Sequence, residues 1–208
     1  MFSPNVNNDP ASRKTTRRAF LSSAALIGAG LYFWSMKKSP SAEAGPAGHA
    51  AQQPQEVTIV EFTDSGERKQ TVHVPKNVKA ESEWRQQLAP NAFAITRHDD
   101  TEMAFSGKYW NEHAKGLYRC ICCDTALFSS DTKFESGTGW PSFWQPVAQE
   151  NVESIEDRTF GMRRVAVACH RCDAHLGHVF EDGPKPTGLR YCINSAALRF
   201  EAEPKGTE

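Results

Sequence analysis

The chain has 208 residues, of which 39% are hydrophobic and 24% are charged, and its formal net charge is −1. This size and composition are typical of one soluble domain with extensions, and they exclude a polytopic membrane protein and a wholly disordered chain. The charge is uneven, because residues 1–44 carry +4 and the remaining 164 residues carry −5. An acidic body lacks the basic face of nucleic-acid-binding proteins, so we expect no nucleic-acid partner.

The N-terminal segment, residues 1–44, has the pattern of an export signal. Arg17 and Arg18 directly precede an apolar run, residues 20–36, of 17 residues. This run is shorter than the roughly 20 residues of a membrane-spanning helix, and the small-x-small sequence of residues 42–44 is a pattern that signal peptidases cut. The segment resembles a twin-arginine signal, which exports folded proteins. The alternative is an uncleaved membrane anchor, and both predict an exported, periplasmic protein.

The next segments are predicted to be a linker, a hairpin and two short helices. Residues 45–56 form a flexible linker, and residues 57–78 contain two β-type runs, 57–63 and 71–74, around a turn-like Asp-Ser-Gly. The main domain is expected over residues 79–203, with a tail at 204–208. Its first helix is predicted over Ser82–Leu88, with Ser82 as a candidate N-cap, and its second around residues 90–97.

Beyond Gly116 the pattern changes to short β-type runs separated by loops. The clearest runs are residues 117–119, 165–168 and 195–200. Strands without intervening helices favour an antiparallel β domain over a βαβ repeat.

All six cysteines lie in the C-terminal half, and four of them form two Cys-x-x-Cys pairs. The first pair is Cys120 and Cys123, and the second is Cys169 and Cys172. Two such turns can direct four thiolates at one ion, which predicts one structural Zn²⁺ without an open coordination position. The alternatives are two disulfides, which exported proteins often contain, and a thioredoxin-like redox pair, which would need a βαβ setting.

The two remaining cysteines are Cys122, inside the first pair, and Cys192, in the segment Arg-Tyr-Cys-Ile-Asn. A free thiol becomes a nucleophile when a nearby cation such as Arg190 stabilises its thiolate. The alternative for Cys192 is a small buried apolar residue.

Two further stretches contain candidate functional residues. His175 and His178 would point to opposite faces of a regular strand but can converge in a loop that contains glycine, where they would serve as proton donors. The alternative is that they are core or surface histidines. The stretch Ser136–Trp144 places aromatic residues after a Gly-x-Gly turn, which can form an apolar wall, although core packing is the default for such side chains.

These motifs together resemble the B-type methionine sulfoxide reductase family over about residues 82–200. The resemblance rests on the Cys-x-x-Cys pairs, Ser-Gly-Thr-Gly-Trp-Pro-Ser-Phe at 136–143, the His-Leu-Gly-His segment, and Arg-Tyr-Cys-Ile-Asn-Ser at 190–195. It implies a mainly β fold of two antiparallel sheets, forming a compact zinc-containing β domain with short N-terminal helices. It also implies reduction of methionine R-sulfoxide, mainly in oxidised proteins and peptides. We expect the protein to be a monomer.

The resemblance also implies roles for individual residues. Cys192 would be the nucleophile and would pass through a sulfenic acid, His175 and His178 would serve the sulfoxide oxygen, and Asn194 would organise them. Arg190 would favour the thiolate, and Trp140 and Phe143 would contact the substrate. Many members carry a resolving cysteine where this chain has Thr138, so a thioredoxin-like reductant is expected to regenerate Cys192 directly. A zinc-ribbon binding module without catalysis is the alternative function.

Overall fold

A computed structural model describes residues 55–158, 161 and 163–203. The predicted export segment, residues 45–54 of the predicted linker and the predicted tail lie outside the described residues. Within the part that is described, no helix has the length and apolar character needed to cross a membrane.

The described residues form eleven β-strands and two short α-helices, so the protein is mainly β. The N-terminal elements are β1 (Glu56–Phe62), β2 (Arg68–Pro75), α1 (Glu81–Gln87) and α2 (Pro90–His98). The later strands are β3 (Gly116–Cys120), β4 (Ala126–Ser129), β5 (Lys133–Phe134), β6 (Ser142–Phe143), β7 (Val152–Asp157), β8 (Arg164–Cys169), β9 (His175–Phe180), β10 (Arg190–Ile193) and β11 (Leu198–Ala202).

The strands form antiparallel sheets, as predicted. A six-stranded sheet has the order β5-β6-β10-β9-β8-β7, and a three-stranded sheet has the order β11-β3-β4. Strands β1 and β2 pair separately as the predicted hairpin. The expected fold class, two antiparallel sheets with short N-terminal helices, is therefore confirmed, with the hairpin as an additional two-stranded sheet.

The buried side chain of Asn151 is one of the groups that attach the hairpin to the domain. Its amide accepts a hydrogen bond from the Val60 N–H (2.7 Å) and donates to the carbonyls of Val60 (2.9 Å) and Ala126 (2.8 Å). Because Asn151 is completely buried, its removal would leave three polar backbone groups unsatisfied, so it fixes β1 against β4.

The two helices begin and end close to the predicted residues, but the N-cap of α1 differs from the prediction. Ala80, not Ser82, is the N-cap residue. Its backbone N–H donates to the Glu83 carboxylate at 2.8 Å, so an acidic residue in the first turn satisfies the helix end and places Ser82 inside the helix. Helix α2 begins at Pro90, which suits a first helical position.

The predicted strand over residues 195–200 begins later than expected. Residues Ser195–Ala197 form a 3₁₀ turn, and only the segment from Leu198 pairs as β11. The backbone N–H groups of Ser195 and Ala196 donate to the Glu102 carboxylate at 2.6 and 3.1 Å. A carboxylate that binds two adjacent amides stabilises the turn instead of an extended strand.

An aromatic core lies beneath the six-stranded sheet and contains Phe143. This ring is fully buried and stacks on Phe128 with centroids 4.5 Å apart. Phe143 is paired with Tyr191, whereas the preceding Ser142 is paired with Cys192, and neighbouring residues of a strand point to opposite faces. Phe143 therefore packs in the aromatic core, on the face of the sheet opposite to Cys192, and its expected contact with the substrate stays a prediction.

Candidate active site and metal centre

The two Cys-x-x-Cys segments fold into two turns with the same hydrogen-bond pattern. The N–H of Asp124 donates to the Cys120 carbonyl, and the N–H of Asp173 donates to the Cys169 carbonyl, both at 2.9 Å. Each aspartate has a positive φ, 65° and 56°, a left-handed conformation that Asp tolerates better than most residues. The matching turns direct two pairs of sulfur atoms toward one point.

The four sulfur atoms of these turns form one cluster. The ligand atoms of Cys120, Cys123, Cys169 and Cys172 all lie within 4.8 Å of one another. The closest pairs run between the turns, Cys120–Cys172 at 3.7 Å and Cys123–Cys169 at 3.5 Å. A tetrahedral Zn–S₄ site with bonds of about 2.3 Å requires sulfur separations of about 3.8 Å. The cluster can therefore bind a metal ion and is consistent with a structural zinc site, and its cysteines are free thiols, not disulfides.

Cys192 lies in β10, which pairs with β6 and β9. It is not part of the two turns that carry the four-cysteine cluster. Its register partners are Ser142 on β6 and His178 on β9, so these three residues form one row across the sheet and share a face. The Thr138 Oγ1 lies 4.0 Å from the Cys192 Sγ. Cys192 thus faces the Gly-x-Gly loop on one side and a histidine on the other.

Burial raises the pKa of the Cys192 thiol, and the Arg190 guanidinium and the Thr138 hydroxyl act in the opposite direction. Arg190 is held in place by a bidentate ion pair with Asp182, at 2.8 and 2.9 Å. It also lies over the Phe180 ring at 4.5 Å. Because two partners fix the guanidinium, it presents a positioned positive charge to the thiol with little conformational freedom to lose.

His175 and His178 both lie on β9, yet their rings meet, with centroids 5.4 Å apart. The cause is a β-bulge: Val167 pairs with Gly177 and the next residue, Ala168, pairs with His175, so Leu176 has no partner on β8. An inserted residue changes the alternation of side chains along a strand. The predicted convergence therefore occurs, and it occurs in a bulged strand instead of a loop.

The two histidines differ in their partners. The His178 Nε2 lies 2.8 Å from the Asp157 carboxylate, which orients that ring. The Nε2 of His175 is buried and has no hydrogen-bond partner among the described residues. Burial lowers the pKa of His175, and the Asp99 carboxylate, 3.9 Å from Nδ1, opposes this effect. A buried ring nitrogen without a partner marks a place where a ligand atom or a water can bind.

Asn194 holds the bulge that brings the histidines together. Both its backbone N–H and its side-chain Nδ2 donate to the Leu176 carbonyl, at 2.8 and 3.1 Å. Its Oδ1 accepts from the Glu102 N–H at 3.1 Å. Asn194 therefore positions the histidine strand without a hydrogen bond to either ring.

Trp140 is half-buried and is oriented by its indole N–H, which donates to the Glu102 carbonyl at 3.1 Å. A chain of hydroxyls runs from β6 into the loop before Trp140: Ser142 Oγ lies 2.8 Å from Ser136 Oγ, which lies 2.8 Å from Thr138 Oγ1. This chain ends at the Cys192 sulfur, so Thr138 is held in a position to contribute a hydrogen bond to a thiolate.

Glu102 is a further residue of this site, and no pattern in the sequence indicates it. Its backbone N–H and carbonyl contact Asn194 and Trp140, and its carboxylate binds the turn that follows β10. Its two backbone groups thus contact two predicted site residues, and its carboxylate fixes the turn that directly follows Asn194. A single acid in an irregular loop gives no sequence pattern, because its partners lie 38 to 94 residues away.

Comparison with known proteins agrees with this geometry. The family model of the SelR domain matches residues 88–202. The chain belongs to the SelR domain family. It is 56% identical over 129 residues to a peptide methionine sulfoxide reductase MsrB of Herminiimonas arsenicoxydans, which covers 62% of this chain and 94% of the relative.

Two further relatives carry the same description, peptide methionine sulfoxide reductase MsrB. The protein from Synechococcus sp. (strain RCC307) is 57% identical over 122 residues, 59% of this chain and 90% of the relative. The protein from Thioalkalivibrio sulfidiphilus is 58% identical over 121 residues, 58% of this chain and 88% of the relative. The predicted membership of the B-type methionine sulfoxide reductase family is therefore confirmed.

Proposed function

We propose that this protein is a peptide-methionine (R)-S-oxide reductase that acts mainly on protein-bound methionine sulfoxide with Cys192 as its nucleophile. Membership of the SelR domain family and similarity to peptide methionine sulfoxide reductases support the reaction class. The observation that carries the role of Cys192 is its place in one row with Ser142 and His178, beside the paired histidines and a fixed arginine.

The reaction transfers one oxygen atom. The Cys192 sulfur attacks the sulfoxide sulfur, the S–O bond breaks, and the oxygen ends on Cys192 as a sulfenic acid, while methionine leaves. Cys192 is oxidised by two electrons and the substrate is reduced by two, and the proton of the thiol ends on the transferred oxygen. The sulfenic acid is a reversible oxidation state of cysteine.

Each neighbour has a role in this step. A sulfoxide resists attack until its oxygen is protonated or hydrogen-bonded, and we assign that task to His175 and His178, with Asn194 as the residue that positions them. Arg190 favours the attacking thiolate. Trp140, oriented by Glu102, would pack on the substrate methyl group, which distinguishes the R from the S sulfoxide.

Regeneration would use an external thiol. Thr138 offers no sulfur beside Cys192, and Cys122 is buried (3% exposed) in the first turn of the four-cysteine cluster. A thiol of a thioredoxin-like protein would attack the sulfenic acid, which releases water and leaves a mixed disulfide. A second thiol of that protein then frees Cys192 and leaves the donor oxidised.

The four-cysteine cluster would hold one structural Zn²⁺. Thiolate sulfur is a preferred ligand of zinc, and four thiolates complete its tetrahedral coordination. The zinc would therefore stabilise the fold without contact to the substrate, and it would withdraw these four cysteines from redox chemistry.

We further propose that the protein is exported to the periplasm as a folded monomer. The support is the arginine pair before the apolar run of residues 20–36. Export after folding would protect the thiolates, because metal would already be bound to them.

The function is tested by turnover of the separated R and S diastereomers of N-acetyl-methionine sulfoxide with a dithiol reductant. We expect turnover of the R form alone and its complete loss in Cys192→Ser. Equal turnover of the S form would contradict the proposed site, and full biological activity of Cys192→Ser would favour a binding module without catalysis.

A further inference from the structure

Two large apolar side chains of one loop are exposed to solvent. Met103 is 79% exposed and Phe105 is 56% exposed. They lie two positions apart in the sequence Met-Ala-Phe-Ser, which carries no charge. We refer to Met103 and Phe105 as the 103–105 ridge.

The 103–105 ridge is fixed in place. The Phe105 N–H donates to the Gly139 carbonyl at 2.8 Å, and the N–H and hydroxyl of Ser106 donate to the Met103 carbonyl at 3.2 and 2.7 Å. The Phe105 ring also packs edge-to-face on Trp110, with centroids 5.4 Å apart. The loop therefore presents a preformed apolar surface instead of a mobile segment.

The conformation of Phe105 has an energetic cost. Its φ is +64°, in the left-handed region that bulky residues rarely adopt. The backbone of Phe105 also approaches the backbone of residue 139 so closely that this residue must be glycine, because a Cβ at Gly139 would lie 2.7 Å from the Phe105 nitrogen. Strain of this kind persists where surrounding contacts impose it, and it is concentrated at functional sites.

The 103–105 ridge is continuous with the candidate active site on two sides. Glu102, which precedes it, holds Trp140 and Asn194. Gly139, which binds Phe105, follows Thr138, the residue 4.0 Å from the Cys192 sulfur. When a methionine sulfoxide side chain of a polypeptide enters the candidate active site, the residues next to it in that polypeptide must lie close to the 103–105 ridge.

We propose that the 103–105 ridge binds the apolar residues that flank a methionine sulfoxide in an extended or unfolded polypeptide. This inference rests on the proposed function and names the class of substrate. Methionine is mostly buried among other apolar residues in folded proteins, and its oxidation disrupts such cores. The oxidised residue and its apolar neighbours therefore become accessible together, and an uncharged ridge would bind those neighbours.

The test compares peptide and small substrates. The full chain is assayed with a dithiol on the R forms of three compounds: N-acetyl-methionine sulfoxide, a peptide with Leu and Val beside the sulfoxide, and a peptide with Gly and Ser there. The variants are Phe105→Ser and Met103→Ser. The matched control is Val78→Ser, which removes an apolar side chain that is 77% exposed in another segment.

We expect wild type to prefer the apolar peptide over the Gly/Ser peptide by about tenfold in kcat/KM, the scale of a lost apolar contact. Phe105→Ser should abolish this preference, and Met103→Ser should reduce it. Turnover of the small substrate should stay within about twofold of wild type, and Val78→Ser should change none of the values.

Three results would overturn the inference. An equal fall for all three substrates would mean that the ridge only supports the pocket, and an unchanged peptide preference would mean that it binds no flanking residues. Self-association that Phe105→Ser abolishes would show a second copy as the occupant. Failure of wild type on the small R sulfoxide would instead contradict the proposed function itself, which separates the two claims.

Discussion

Replacing Glu102 with glutamine should destabilise the protein and impair the active site together. The carboxylate accepts two backbone hydrogen bonds, from Ser195 at 2.6 Å and from Ala196 at 3.1 Å. Glutamine keeps one oxygen acceptor and turns an NH₂ group toward the second N–H, which then has no acceptor. Hydrogen bonds to a charged group contribute about 1.5–3 kcal/mol each. Because Glu102 is partly exposed, we expect the free energy of unfolding to fall by about 2 kcal/mol.

This loss can be measured by urea unfolding followed by tryptophan fluorescence. With a slope of about 2 kcal/mol per molar urea, the midpoint should fall by about 1 M. Without urea, Glu102→Gln should remain folded, yet its kcat/KM for the R sulfoxide should fall by about tenfold, since a small displacement of positioning groups weakens catalysis.

The matched control is Glu83→Gln, which also removes a carboxylate that accepts a backbone hydrogen bond. Its single partner is the exposed N–H of Ala80, at 2.8 Å, so we expect its midpoint to shift by less than about 0.3 M and its turnover to be unchanged. If Glu102→Gln behaves like Glu83→Gln in both assays, Glu102 does not connect the site as described.

Cys169→Ser should lower the zinc content, measured by elemental analysis, from about one ion per chain to nearly none. The domain should also unfold, because structural zinc contributes about 10–16 kcal/mol in small peptides. The control Cys122→Ser should keep both metal and turnover, and a stable, metal-free Cys169→Ser would refute the structural role of the cluster. Thr138→Val should move the midpoint of Cys192 alkylation by iodoacetamide to higher pH, because the loss of a hydrogen bond to the thiolate raises the pKa of Cys192 further above its ordinary value. Arg190→Met should shift the midpoint in the same direction. A downward shift in either variant would contradict the described site. Replacing Arg17 and Arg18 with lysine should leave the protein in the cytoplasm on fractionation, and unchanged export would exclude the twin-arginine route.

Structural features that depend on residues close together in the sequence could be predicted from it. The four ligand cysteines form two local turns, so their motif was sufficient to predict the cluster. The hairpin and both helices were also predicted, because their turn residues and the proline at position 90 act locally. The N-cap of α1 was misplaced, since Ala80 has no side-chain acceptor and the capping group comes from Glu83.

Features that depend on register or on distant contacts could not be predicted. Strand β6 has only two residues, too few to show an alternation, so the direction of Phe143 followed only from its pairing with Tyr191. The meeting of His175 and His178 depends on a bulge at Leu176, which no residue pattern in β9 indicates. Ser195–Ala197 resembles a strand in sequence, and the contacts that hold it as a turn include the carboxylate of Glu102, which is more than 90 residues away.

The central claim is that Cys192 receives the oxygen of the sulfoxide and that an external thiol removes it. The most direct measurement is the mass of the Cys192 peptide after wild type reacts with one equivalent of the R sulfoxide in the absence of reductant, with dimedone added to trap sulfenic acid. We predict a dimedone adduct on Cys192 in the wild type and equally in Cys122→Ser. An unmodified Cys192 after methionine has formed, or a Cys122–Cys192 disulfide in high yield, would contradict it.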